Sequence, residues 1–230
     1  MLHVKIGVST DGQTGAPAAV KNADLLGFLA LYGGPHGWRG PLAVAWATTM
    51  VALTLLGGGW SALGILPLLW YERTRLFGKL LAAAIVGQAS VVWFIKLAVG
   101  RTRPWIIMGL AAPLGSPHDG SFPSGHASGS FCVAAFLVTA LPAAWPSSPW
   151  TARLVAGLGV FVAALIALSR VYLGAHFPSD VLAGAALGSL AGATAGSVYA
   201  RRATTACPPA RTAPAARASG ARRASTCKWR

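Results

Sequence analysis

Four stretches of this chain, 76–99, 122–141, 150–168 and 179–200, are each long and apolar enough to cross a lipid bilayer. A hydrocarbon core of about 30 Å needs about 20 mostly apolar residues in a helix, because every backbone N–H and C=O must be satisfied within the segment. That requirement predicts the fold class: all-α, a polytopic bundle of membrane helices. Composition points the same way. Hydrophobic residues make up 54% and charged residues 10% of the 230 positions, against about 25% charged in a soluble domain. Nineteen basic and five acidic residues cannot wet the surface of a water-facing globule of this size.

A fifth apolar region, 41–71, is too long for one upright helix and too short for two good ones, and Gly57, Gly58 and Gly59 interrupt it. Consecutive glycines weaken a helix interior. The favoured reading is an interfacial helix over 41–56 leading into one further span, five spans in all; two short spans meeting at the glycines would make six. A short helix over 22–32 is expected on the membrane surface. The chain then divides into an N-terminal segment (1–40), a membrane-embedded domain (41–200) and a basic tail (201–230). The first twenty residues lack the long apolar core of a signal peptide, which leaves insertion to the first span.

The formal net charge of +14 looks like a nucleic-acid footprint until the charges are placed. Eight basic residues, Arg201, Arg202, Arg211, Arg217, Arg222, Arg223, Lys228 and Arg230, lie in the tail, which holds no acid. Its Ala, Pro, Thr and Ser content without apolar periodicity predicts disorder. Its charge suits a cytoplasmic segment near anionic headgroups, and no aromatic interleaving or known module supports nucleic-acid binding. Cys132, Cys207 and Cys227 offer neither a disulfide framework nor a zinc spacing. By the positive-inside rule the tail and the loop with Arg73, Arg75 and Lys79 face the cytoplasm. That places 100–121 and the junction 168–180 on the extracytoplasmic side. Arg101, Arg103 and Arg170 then sit where the rule disfavours them, and function is the expected reason for keeping them.

Three polar clusters fall at the outer ends of the spans: Lys96 to Arg103-Pro104, then Pro123-Ser124-Gly125-His126, then Ser169-Arg170 to His176 and Asp180. Each alone has a plain structural explanation: snorkelling cations at a helix end, a helix start, a hydrogen-bonded His–Asp pair. Their convergence on one side of the membrane argues for binding of a tetrahedral oxyanion. Lys96, Arg103 and Arg170 are three cations, and the arginine fork matches phosphate oxygens. A helix opening at Pro123 would aim free N–H groups near Ser124 and Gly125 at the anion, with Gly125 permitting close backbone approach. One histidine attacks phosphorus and the other protonates the departing oxygen. Pro178 would begin the last helix and put Asp180 in its first turn, where it can accept a ring N–H and fix the tautomer. That makes His176 the nucleophile and His126 the general acid. His118 and Asp119 read as a solvated loop, and His3 and His36 have no evident partners.

In this order and at these spacings the clusters resemble the signature of the type 2 phosphatidic acid phosphatase superfamily: K-x6-RP, PSGH, and SR-x5-H-x3-D. The resemblance covers roughly 60–200. It implies a helical membrane fold and metal-independent phosphohydrolase chemistry through a phosphohistidine, with no cofactor. It also implies that Lys96, Arg103, Ser124, Gly125 and Arg170 bind the phosphoryl group, that His126 protonates the leaving group, and that His176 and Asp180 form the nucleophilic pair. Some six-span relatives carry an extra N-terminal hydrophobic helix that residues 1–20 do not supply.

The expected substrate is a lipid phosphate, foremost undecaprenyl or another polyprenyl diphosphate, with phosphatidic acid, phosphatidylglycerol phosphate and diacylglycerol diphosphate as competitors. A vanadium haloperoxidase would use a similar oxyanion pocket, but the haloperoxidases this chain resembles are soluble, and these spans are of bilayer length. A catalytically silent membrane protein is the third reading, and the presence of both histidines with Asp180 speaks against it. Only Asp180 among the five acids lies in the clusters, which disfavours a carboxylate-held metal pair.

Overall fold

A computed structural model describes residues 22–33, 40–110 and 119–206. The elements are α1 (Asn22–Leu31), α2 (Pro41–Leu56), a 3-10 segment (Gly59–Ile65), α3 (Leu66–Trp70), α4 (Arg75–Val99), α5 (Pro104–Ile107), α6 (Gly125–Ala144), α7 (Pro149–Tyr172) and α8 (Pro178–Ala206). Four helical stretches are long and apolar enough to cross a membrane: Arg75–Ile107, Gly125–Ala144, Pro149–Tyr172 and Pro178–Thr205. Pro41–Leu56 and Ser61–Trp70 meet at a 60° bend and make a fifth if the bent pair counts as one span. The chain is therefore an all-α membrane bundle of four to five apolar spans, and the six-span alternative is not met among the described residues. The bend falls where the three glycines stand.

One helix start and one helix end differ from the sequence reading. The helix of the second cluster begins at Gly125 with Ser124 as its N-cap residue, two residues after Pro123. The last helix continues through Arg201 and Arg202 to Ala206, into the segment read as tail; 207–230, with Cys207 and Cys227, lie outside the described residues, as do His3, His36 and His118.

Helix α6 is the hub, packing most extensively on α8 and also on α7 and α4. Lipid tails give apolar helices no hydrophobic reason to associate, so close packing of small residues must supply the attraction. Here Gly184, Gly188, Gly192 and Gly196 recur every four residues down one face of α8. A Cβ at any of them would strike α6: the Ser124, Ser128 and Cys132 carbonyl oxygens for the first three, and the Thr139 hydroxyl for the last. This ladder presses two backbones together and fixes the start of α6 beside the start of α8. Apolar clusters fill the two ends. Phe28, Ala127, Val171, Phe177 and Val181 lie under the polar residues, while Ile65, Leu81, Phe136, Ala140 and Tyr199 lie at the opposite end.

Candidate active site

Antiparallel packing brings the C-terminal ends of α4 and α7 to the N-terminal ends of α6 and α8, and all three clusters meet there. Lys96 stands in the last turn of α4. Gly100, in the left-handed region at φ 56°, ends that helix and releases the short strand of chain that carries Arg101 and Arg103. Ser124 and His126 open α6. Arg170 lies in the last turn of α7. Gly174, at φ 77°, then turns the chain so that the Ala175 and His176 N–H groups both donate to the Arg170 carbonyl, at 3.0 and 3.2 Å. Pro178 starts α8, with Asp180 in its first turn. Lys96, Arg103, Ser124, Arg170, His176 and Asp180 are buried; Gly125 and His126 are half-buried.

His176 is held in one orientation. Its Nδ1 lies 2.8 Å from the Ser121 carbonyl oxygen, and since a carbonyl can only accept, Nδ1 carries the proton. Nε2 then bears the lone pair and accepts from Arg103 Nη1 at 3.3 Å. Burial, with Arg170 and Arg103 adding to it against the opposing pull of Asp180, pushes the ring down to about 4, so it is neutral at physiological pH. Asp180 does not take the ring N–H that the sequence reading gave it: Oδ2 stands 3.7 Å from Nδ1. That oxygen instead accepts from Ser121 Oγ at 2.5 Å and from the Phe177 N–H at 2.9 Å. Asp180 thus orients His176 through Ser121 as well as through its field.

The cations are arranged in two ways. Arg103 donates from Nη1 to the Ala175 carbonyl at 3.1 Å, from Nε to the Asp119 carbonyl at 3.0 Å, and from Nη2 to Asp119 Oδ1 at 2.6 Å. Lys96 Nζ donates to Asp119 Oδ2 at 2.6 Å and to the Gly120 carbonyl at 2.7 Å. Asp119 therefore bridges both cations with a half-exposed carboxylate, and is not the solvated loop residue expected. Burial would raise its pKa, but the bonds and charges of Lys96 and Arg103 outweigh it and hold the acid at about 2. Arg170 has a looser partner, with Nη1 3.4 Å from Thr54 Oγ1. Its Nε and the Ser124 hydroxyl are buried without a hydrogen-bond partner among the described residues. Buried donors in that condition call for a ligand or water. His126, at the first turn of α6 where helix N–H groups lack intrahelical acceptors, lies within electrostatic reach of Arg170, His176, Lys96 and Arg103.

A second arginine cluster lies behind Asp180. Arg101 Nη1 donates to Asp180 Oδ1 at 2.6 Å and to Ser179 Oγ at 2.7 Å, while its Nη2 donates to Asp24 Oδ2 at 2.6 Å. Sequence reasoning left Asp24, Ser121 and any specific role for Arg101 unassigned. Among the described residues no three of His, Cys, Asp and Glu group as a metal-ligating set.

The family model of the PAP2 superfamily matches residues 76–203, more than half of the chain. The decaprenylphosphoryl-5-phosphoribose phosphatase of Mycobacterium tuberculosis is 32% identical over 142 residues, covering 61% of this chain and 71% of that protein. The undecaprenyl-diphosphatase of Sulfolobus acidocaldarius is 36% identical over 125 residues, 53% of this chain and 55% of its own. Among solved structures, the PAP2-type phosphatidylglycerolphosphate phosphatase of Bacillus subtilis superposes with a TM-score of 0.63 at 28% identity, covering 77% of this chain and 85% of that one.

Proposed function

The chain belongs to the PAP2 superfamily and is a hydrolase of lipid phosphates, and we propose that it works through a phosphohistidine on His176, with polyprenyl diphosphate as its foremost substrate. The observation that carries the mechanism is the neutral His176 ring, its proton committed to the Ser121 carbonyl and its Nε2 lone pair turned to Arg103 in a long 3.3 Å contact that an incoming phosphoryl group would replace. The phosphoryl group would sit among Arg170, Ser124, Lys96 and Arg103 and against the free N–H groups at the start of α6. Nε2 attacks phosphorus in line with the leaving oxygen, the P–O bond to that oxygen breaks, and His126 supplies its proton. Water then attacks the phosphohistidine, His126 takes a proton back, and inorganic phosphate departs with His176 neutral again. Cations and helix N–H groups stabilise the charge that builds on the phosphoryl oxygens, the part metal ions play in other phosphatases.

The polyprenyl class is supported by two relatives whose names carry decaprenyl and undecaprenyl groups. Phosphatidylglycerol phosphate, from the B. subtilis neighbour, and phosphatidic acid and diacylglycerol diphosphate are the alternatives. We place the site on the extracytoplasmic side, since Arg75 and Lys79 stand at the opposite end of α4 from Lys96 and the positive-inside rule assigns them to the cytoplasm. The deciding experiment is a competition in mixed micelles, with and without EDTA, of undecaprenyl diphosphate against phosphatidylglycerol phosphate and phosphatidic acid. Preferential phosphate release from the polyprenyl substrate, indifferent to EDTA, is the expected result. A strict magnesium requirement would contradict the mechanism, and preference for a glycerolipid would replace the substrate.

A further inference from the structure

Helix α1 lies outside the family match at 76–203, yet it reaches the heart of the site. Phe28 seats it: fully buried, stacked on Tyr32 at 5.2 Å between ring centroids and tilted against Phe177 at 5.6 Å. This brings Asp24, in the first turn of α1, onto the start of α8. Asp24 Oδ1 accepts the Ser179 N–H at 2.9 Å and Oδ2 accepts the Ser179 hydroxyl at 2.5 Å, capping α8 one residue before Asp180. The same carboxylate takes Arg101 Nη2, while Arg101 Nη1 reaches Asp180 Oδ1. The guanidinium lies over the Phe177 ring, 4.4 Å from its centroid, so the fork is clamped in plane as well as at both ends. All three side chains are largely shielded, Asp180 completely.

We propose that Asp24 and Arg101 are positioning residues for the His176–Asp180 pair. Arg101 fixes the Asp180 carboxylate in the orientation that receives Ser121 and Phe177, and Asp24 neutralises Arg101 so that Asp180 keeps its charge for His176. Formal charges show why both are needed. Asp24, Arg101 and Asp180 sum to one negative charge, matching the single positive charge on His176 as it is phosphorylated. With Arg101 alone the sum is zero, and the developing imidazolium faces Arg103 and Arg170 without a counterion. The inference rests on the reading of His176 as nucleophile.

The test uses the full chain in detergent–lipid micelles with farnesyl diphosphate as substrate and inorganic phosphate as inhibitor. Asp24→Asn keeps an oxygen for the Ser179 N–H but removes the charge, and it should lower kcat by about 10- to 100-fold. KM and the phosphate inhibition constant should stay within about twofold, because the phosphate cradle is untouched. Asp24→Glu should recover part of kcat. Arg101→Lys, which keeps charge but loses the fork, should show the same kcat loss and serves if Asp24→Asn folds poorly. An unchanged kcat in both Asp24→Asn and Arg101→Lys overturns the proposal. So does a kcat loss that follows a fall in Tm and is not rescued by Glu, which would make Asp24 a cap and nothing more. His176→Ala separates the two levels: wild-type turnover there overturns the nucleophile reading beneath, whereas a dead His176→Ala beside a normal Asp24→Asn overturns the positioning role alone.

Discussion

The two arginine–carboxylate clusters flanking His176 are built from the same chemical parts and sit in opposite environments. Behind the ring, Arg101 is clamped between Asp24 and a fully buried Asp180. In front of it, Asp119 spans Lys96 and Arg103 with 52% of its side chain exposed. An ion pair open to water contributes little and exchanges readily, while breaking one in a shielded setting leaves a charge that nothing else solvates. The rear cluster is thus fixed and the front one exchangeable: in the proposed mechanism its carboxylate occupies cations that the phosphoryl group would need, and burial decides which acid an incoming anion would displace.

The contrast is open to attack at several points, in descending size of effect. His176→Ala should abolish turnover, a loss of at least about 10⁴-fold, with none of the phosphoenzyme that an alkaline detergent quench traps in the wild type; measurable phosphoenzyme in the variant would move the nucleophile elsewhere. Asp180→Asn, which removes the rear charge while keeping shape, should cost on the order of 10³-fold in kcat, with KM little changed; a KM effect alone would mean the buried carboxylate serves binding.

The proposed attack requires a neutral His176, and its pKa is held down at about 4. Once ionisation of the substrate and of His126 is corrected for, kcat/KM should stay level as pH falls through 6 and drop below about 4, by about tenfold per unit. An acid limb at about 6.5 would put the ring in water. The same depression means that stability contributed by the neutral ring is lost as pH falls from about 6.5 toward 4, where the unfolded chain takes up the proton first.

Asp119→Asn carries the smallest effect and the most telling sign. Freed of its internal anion, the cradle should bind inorganic phosphate about threefold more tightly, the scale of a half-exposed pair. Asp119 is ionised far below the working range, so the gain should be constant from pH 5 to 8 and shrink in high salt. Weaker phosphate inhibition by the variant would recast Asp119 as a strut that holds Lys96 and Arg103 in place.

Much of this was legible in the sequence. Bilayer-length apolar runs declare spans through length alone, and Gly57–Gly59 mark the bend. Lys96, Arg103, Ser124, His126, Arg170, His176 and Asp180 converge because antiparallel helices must bring their motif ends together. What was hidden depends on contacts that leave no local trace. Asp24 meets Ser179 across 155 positions, and nothing in the surroundings of either residue announces the other. Asp119 follows a Gly/Pro/Ser-rich stretch that reads as solvated until Lys96 and Arg103 are seen on the same rim. The acceptor of the His176 proton is a backbone carbonyl, which every residue possesses and no side-chain pattern can reveal. The carboxylate four residues on was the obvious candidate, and it turned out to hold Ser121, the residue whose carbonyl does the accepting.

With Gly184, Gly188, Gly192 and Gly196 laid directly on the α6 backbone, the gap between His126 and the His176–Asp180 turn is set by the thickness of two main chains, and no side-chain exchange along that seam can narrow it. If phosphorus is gripped between them, as proposed, the jaw has a fixed gape. Aromatic side chains instead join α1 and α2 to the chain around the end of α7, Phe28 on Phe177 and Trp46 on Tyr172, so that wall is one that substitution can reshape.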